Sequence, residues 1–128
     1  MARVVFDASA VLALLRDEPG SELIAENLGE ALISAVNLQE VIKTLLAWRF
    51  DIDTVRRMIG ALHLEVRNHD ADAAYAAAAL CEATRTFGSG LGDRTCMALA
   101  ISEGLPAVTT DRAWTQLTIP GLAVTLAR

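Results

Sequence analysis

Lysine is almost missing from this sequence: Lys43 stands alone, and every other side-chain cation apart from histidine is arginine. Bases are also in the minority, eleven against sixteen acids, for a net charge of −5. Proteins that grip nucleic acid over a broad surface do so by neutralising phosphates with Lys and Arg, so the composition argues against that mode. It leaves room for an enzyme that meets nucleic acid through divalent cations, because a bound cation reverses the local sign. Guanidinium suits bidentate phosphate contacts, but most of these arginines read as a solvated surface. Cysteine is scarce too. Cys81 and Cys96 have neither metal-like nor redox-like spacing, and both lie in apolar helical stretches; they read as reduced, buried, structural thiols of a cytosolic protein. No apolar run approaches the roughly 20 residues of a membrane-spanning helix. The opening residues 1–6 are too short for the apolar core of a signal peptide and run at once into Asp7, so they are expected to form a strand of a cytoplasmic protein.

What is present points to a folded chain. With 128 residues, 53% of them hydrophobic and 21% charged, it is long and apolar enough for one domain, residues 1–128, that buries roughly two thirds of its unfolded surface. Short β-like runs alternate with longer helical ones, the pattern of an α/β fold: a mainly parallel sheet of four to five short strands flanked by helices. Strands are expected at 3–6, 31–34, 64–66, 107–109 and 122–126. Helices are expected at 10–15, 21–28, 36–49 and 53–62. A long alanine-rich helix should run from Asp70, its cap, to about residue 85, and another from Asp93 to Gly104. Residues 88–92 read as a glycine-rich loop, and 110–116 as a turn or short helix.

Sites in such sheets form at the carboxyl ends of strands, near a switch in strand order. Asp7 follows the first strand and Asp111 the fourth. Glu40 lies early in the helix after the second strand, and Asp93 opens the helix before the fourth. Periodicity permits these four acids to converge without showing that they do.

The segments around them are similar to a known family. Phe6-Asp7-Ala8-Ser9-Ala10 resembles the opening of PIN-domain nucleases. So does Ser34-Ala35-Val36-Asn37-Leu38-Gln39-Glu40, where an asparagine precedes a glutamate by one helical turn. Leu91-Gly92-Asp93-Arg94-Thr95-Cys96-Met97-Ala98-Leu99-Ala100 is especially like the VapC toxins of bacterial toxin–antitoxin systems, and Val108-Thr109-Thr110-Asp111-Arg112-Ala113-Trp114 completes the set. The resemblance runs from Val5 to Trp114.

This resemblance implies a single PIN-like domain with an acidic pocket of Asp7, Glu40, Asp93 and Asp111 that holds Mg2+ or Mn2+. Ser9, Asn37 and Thr109 match polar positions lining such pockets; Arg94, read from its place beside Asp93, could touch substrate, balance the acids or form a structural ion pair. Oxygen donors are what a hard cation takes, and Mg2+ keeps several waters, so one or two direct carboxylates suffice. The implied function is the toxin of a type II toxin–antitoxin system, an endoribonuclease that hydrolyses RNA phosphodiester bonds with a metal-activated water. The implied partners are RNA, a VapB-like antitoxin and a second copy of the chain.

Plainer readings stand beside each residue. Asp7, Asp93 and Asp111 could cap helices or turns, Glu40 could be a solvated helix charge, and Ser9, Asn37 and Thr109 could serve local capping. His63 and His69 lie outside every motif, and Trp48 and Trp114 suit a core or an interface. Two other functions compete with this one: a non-catalytic PIN-like protein-binding scaffold, and a phosphotransfer domain phosphorylated on an aspartate. The second would want another aspartate at position 9, which is Ser, and a lysine near Asp111, which is absent.

Overall fold

The computed structural model describes residues 3–128. Three short apolar runs form its centre: β1 (Val4–Phe6), β2 (Ala31–Ser34) and β4 (Ala107–Thr109), each buried along its whole length. Runs buried at every position suit a parallel sheet covered on both faces. Two less buried strands, β3 (Glu65–Arg67) and β5 (Val124–Leu126), form the edges. The strand order is β3-β2-β1-β4-β5, and all four pairings are parallel, with Val5 beside both Leu32 and Ala107. The chain therefore lays β1, β2 and β3 toward one edge and then returns to add β4 and β5 on the other side of β1. The direction reverses between β1 and β4, and in sheets of this kind ligands bind at the carboxyl ends of the strands beside such a switch.

The pleat divides the core in two. Val4, Phe6, Ile33 and Val108 pack with Ala10 and Val11 of α1 (Ala8–Leu15), Ile24 of α2 (Ser21–Glu26), Val41 and Leu45 of α3 (Ala35–Ala47) and Val55 of α4 (Ile52–Gly60). Val5, Leu32 and Ala107 pack instead with Cys96, Met97 and Ala100 of α7 (Leu91–Glu103), and with Trp114 in the 3-10 turn Arg112–Gln116. Short polar residues start several helices by accepting an otherwise unpaired N–H: Ser34 from Val36, Asp51 from Thr54, and Asp70 from Ala73. Among the described residues no helix is long and apolar enough to cross a membrane.

The alanine-rich helix does not run unbroken to residue 85. It ends as α5 (Ala71–Ala78), and the chain continues as α6 (Cys81–Thr84) and a 3-10 turn, Arg85–Phe87. Helices in proteins are held mainly by an anchoring apolar face; α5 buries only Ala77, and Tyr75 is left 80% exposed. Thr84 also turns its hydroxyl back onto the carbonyls of Leu80 and Cys81, a contact that bends helices. In consequence Cys81 is exposed rather than buried, while Cys96 is fully buried. The glycine-rich loop is shorter than expected: α7 starts at Leu91, with Gly90 as its cap and Asp93 already inside the first turn.

Candidate active site

Asp7 follows β1 directly and occupies the N-cap position of α1, yet its carboxylate does not cap that helix. The side chain is buried and faces two hydroxyls, Ser9 Oγ at 2.8 Å and Thr109 Oγ1 at 3.0 Å, both donating to Oδ2. The backbone sets the direction of those hydroxyls. Thr110 N–H donates to Ser9 Oγ and Asp111 N–H donates to Thr109 Oγ1, each at 3.1 Å, so the hydroxyl protons are left to point at the carboxylate. The two oxygens lie 3.2 Å from one another. Oδ1 is engaged by neither.

The second group comes from α3. One turn of helix separates Asn37 from Glu40, so their side chains share a face, and Asn37 Nδ2 donates to Glu40 Oε1 at 2.8 Å. The same nitrogen donates to the Gly92 carbonyl at 3.0 Å, across to the start of α7. Asn37 is fully buried, and its Oδ1 has no partner among the described protein groups. Gly92 lies in the family-like segment 91–100, but sequence alone assigned it no role beyond a loop. A Cβ there would lie 2.2 Å from Glu40 Oε1 and 2.6 Å from its carboxyl carbon, so only glycine leaves the carboxylate its place. Its one visible signal was position, immediately before Asp93. Asp93 accepts from Gly90 N–H at 3.0 Å through Oδ2, and so stands at the positive end of α7.

Electrostatics ties these groups together. Burial pushes the Asp7 carboxyl up from the usual 3.8 to about 6, and the negative charges of Asp93 and Glu40 push in the same direction, against the lowering effect of the Ser9 and Thr109 hydrogen bonds. Behind them the Cys96 thiol is held well above its ordinary range, first by burial and then by Asp7, Asp93 and Glu40. That makes it an inert neighbour rather than a nucleophile. Three of the four expected acids thus act on one region.

Asp111 is placed differently. It is exposed, and its Oδ1 accepts from Ala113 N–H at 3.0 Å, capping the 3-10 turn. Arg94 donates to the Ser89 carbonyl at 2.7 Å, tying the loop to α7; among the described residues it forms no ion pair with an acid. His63 is exposed in a turn with positive φ, and His69 lines a cavity of about 330 Å3 between α5 and α7. Trp114 is core, and Trp48 carries the Arg16 guanidinium over its ring. The candidate donor set is oxygen only, and among the described residues no three Asp, Glu, His or Cys side chains form a ready-made group of direct metal ligands.

Among curated proteins none matches this sequence. Among solved structures the fold is similar to that of DNA-bound VapBC from Salmonella typhimurium, at 21% identity over 100% of both chains and a TM-score of 0.69. It is also similar to VapBC2 from Rickettsia felis bound to a DNA fragment from their promoter, at 18% identity over 96% of this chain and 97% of that one, TM-score 0.71. A member of the VapBC family of toxin–antitoxin systems from Mycobacterium tuberculosis is similar at 22% identity over 98% and 99% of the two chains, TM-score 0.65. A family model described as PIN domain matches residues 4–119. That match begins with β1 and runs beyond Trp114, taking in the strand switch and every acid gathered around it: the chain belongs to the PIN domain family.

Proposed function

We propose that this chain is a divalent-cation-dependent endoribonuclease, and that it serves as the toxin of a toxin–antitoxin pair in the cytoplasm. The observation that carries the reading is the buried Asp7 carboxylate, held by two oriented hydroxyls and pressed by the charges of Asp93 and Glu40. Like charges so placed, without compensation, are unfavourable, and a cation relieves that. The residues fit Mg2+ or Mn2+. The donors are all oxygen, Asn37 Oδ1 is a buried acceptor without a partner among the described residues, and Gly92 keeps the space beside Glu40 clear. That the described residues hold no ready-made ligand trio fits an ion that keeps most of its waters and takes one or two carboxylates directly.

In this reading Asp7, Asp93 and Glu40 would hold the ion, and exposed Asp111 would contribute from the end of β4. When bound, the cation supplies a polarised water and offsets charge on the phosphate. Ser9 and Thr109 keep Asp7 ionised by hydrogen bonding the charged form, and Asn37 orients Glu40. The overall reaction adds water across one RNA phosphodiester bond, leaving a 5′-phosphate and a 3′-hydroxyl. The likeness to VapBC structures supports an antitoxin partner, and the same reading takes the toxin to pair with a second copy of itself. The test is cleavage of RNA with Mg2+ or Mn2+ by wild type, Asp7→Asn and Asp93→Asn. Wild-type cleavage that stops with chelator and falls at least a hundredfold in both variants is expected. Equal rates in all three would overturn the assignment, and a neighbouring small protein that fails to bind and neutralise the chain would overturn the toxin role.

A further inference from the structure

Asn37 is neither a surface residue nor a helix cap. It is fully buried in α3, and its one amide nitrogen holds two groups that belong to different elements: the Glu40 carboxylate of its own helix and the Gly92 carbonyl in the first turn of α7. Asp93 is the next residue. Gly92 completes the arrangement from the other side, since its missing side chain is where the Glu40 carboxylate rests. We propose that Asn37 is a positioning residue that, with Gly92, latches α3 to the start of α7 and sets the Glu40 carboxylate relative to Asp93 for cation binding. The inference rests on the metal-dependent reading above and deepens it.

The chemistry favours an amide at this position. A carboxamide donates twice without charge, whereas an aspartate would set a third negative group beside Glu40 and could not donate when ionised. An alanine would leave the Gly92 carbonyl short of a partner and Glu40 free to rotate. Groups that orient metal-binding carboxylates in this way typically affect affinity by about 10- to 100-fold.

Gly92→Ala separates positioning from stability. Alanine is the better helix residue, and the atoms its Cβ would strike belong to the far end of the flexible Glu40 side chain. That variant should fold as well as wild type while displacing the carboxylate. The experiment measures Mn2+ binding by calorimetry and by the Mn2+-induced rise in Tm, for wild type, Asn37→Ala, Gly92→Ala and the double variant. Each single variant should bind Mn2+ at least tenfold more weakly. Gly92→Ala should keep its metal-free Tm, and the double variant should be no weaker than the worse single one, because both break the same latch. Should Asn37→Ala fail to fold, the isosteric Asn37→Asp replaces it, with the same loss expected. If wild type binds Mn2+ and the variants bind it equally well, or if the losses add fully, the latch is wrong. If wild type does not bind Mn2+, the metal-dependent reading falls and the latch with it.

Discussion

The Thr109 hydroxyl donates to Oδ2 of Asp7 at 3.0 Å although the two stand 102 positions apart in the sequence. Parallel pairing of β1 with β4 creates this contact, because it sets Phe6 beside Val108 and so brings the next residue of each strand to the same edge. The oxygen that Thr109 offers to Asp7 is itself held by Asp111 N–H, so the loop after β4 and the carboxylate after β1 are built as one unit.

Removing either hydroxyl should raise the Asp7 pKa beyond its value of about 6, because both hydrogen bonds hold it down and the Ser9 bond does so more strongly. Ser9→Ala should therefore shift it further than Thr109→Val. Thr109→Val should also cost about 1–3 kcal/mol by leaving polar partners unpaired. Carbon-detected NMR titration of the Asp7 carboxyl without metal reads the shift directly. An unchanged or lower midpoint in both variants would contradict the role of the hydroxyls.

Asp7 should destabilise the metal-free protein at neutral pH. Its carboxyl lies near 6 in the folded chain against an ordinary 3.8, so the folded state binds the proton more tightly and stability falls as pH rises from about 4 to 6. The penalty is complete above that window and absent below it. Asp7→Asn should thus be more stable than wild type by about 2–3 kcal/mol at pH 7, and the advantage should vanish near pH 4. Urea unfolding with chelator present, at both pH values, checks this; a constant difference between the two would refute it.

The far end of the chain should be sensitive to Gly20. This residue has φ +97°, and a Cβ there would sit 2.3 Å from the Ala127 carbonyl oxygen. Ala127 N–H in turn donates to Thr109 O at 2.8 Å, so the contact fastens the end of β5 next to the site. Gly20→Ala combines a left-handed backbone with a backbone clash, and a loss of about 2–4 kcal/mol is expected. Thermal unfolding within a degree or two of wild type would show that the tail yields without cost.

Trp114 is buried, and its Nε1–H has no partner among the described residues. Trp114→Phe removes that unpaired donor while keeping much of the ring, so loss of volume and relief of desolvation should leave stability within about 1 kcal/mol of wild type. Trp114→Ala should cost about 3–5 kcal/mol. Similar losses in both variants would mean that the indole N–H is satisfied in solution.

Much of this architecture could be read from local pattern. The buried runs at Val4–Phe6, Ala31–Ser34 and Ala107–Thr109, and the apolar stripe through Val41 and Leu45, are properties of neighbouring residues, since strand and helix periods are short. The Asp70 cap is equally local. The break after Ala78 was not legible, because an alanine run is a good helix by propensity, whereas the turn of the Thr84 hydroxyl onto the Leu80 and Cys81 carbonyls is a local contact that composition does not announce. Of the four acids, chain order could place Asp7 and Asp111 at the carboxyl ends of strands and permit Glu40 and Asp93, on helices, to face them. It could not say that Asp93 and Glu40 act on Asp7 while Asp111 turns to cap its own 3-10 turn, nor that Gly92 is glycine to make room for Glu40. The sequence by itself determined which residues are chemically able to form an oxygen-lined acidic site and which elements carry them. Tertiary structure alone decided which of them share a field, because burial and charge act through distance in space, and contacts between β1, β4, α3 and α7 exist only once the strand order has closed.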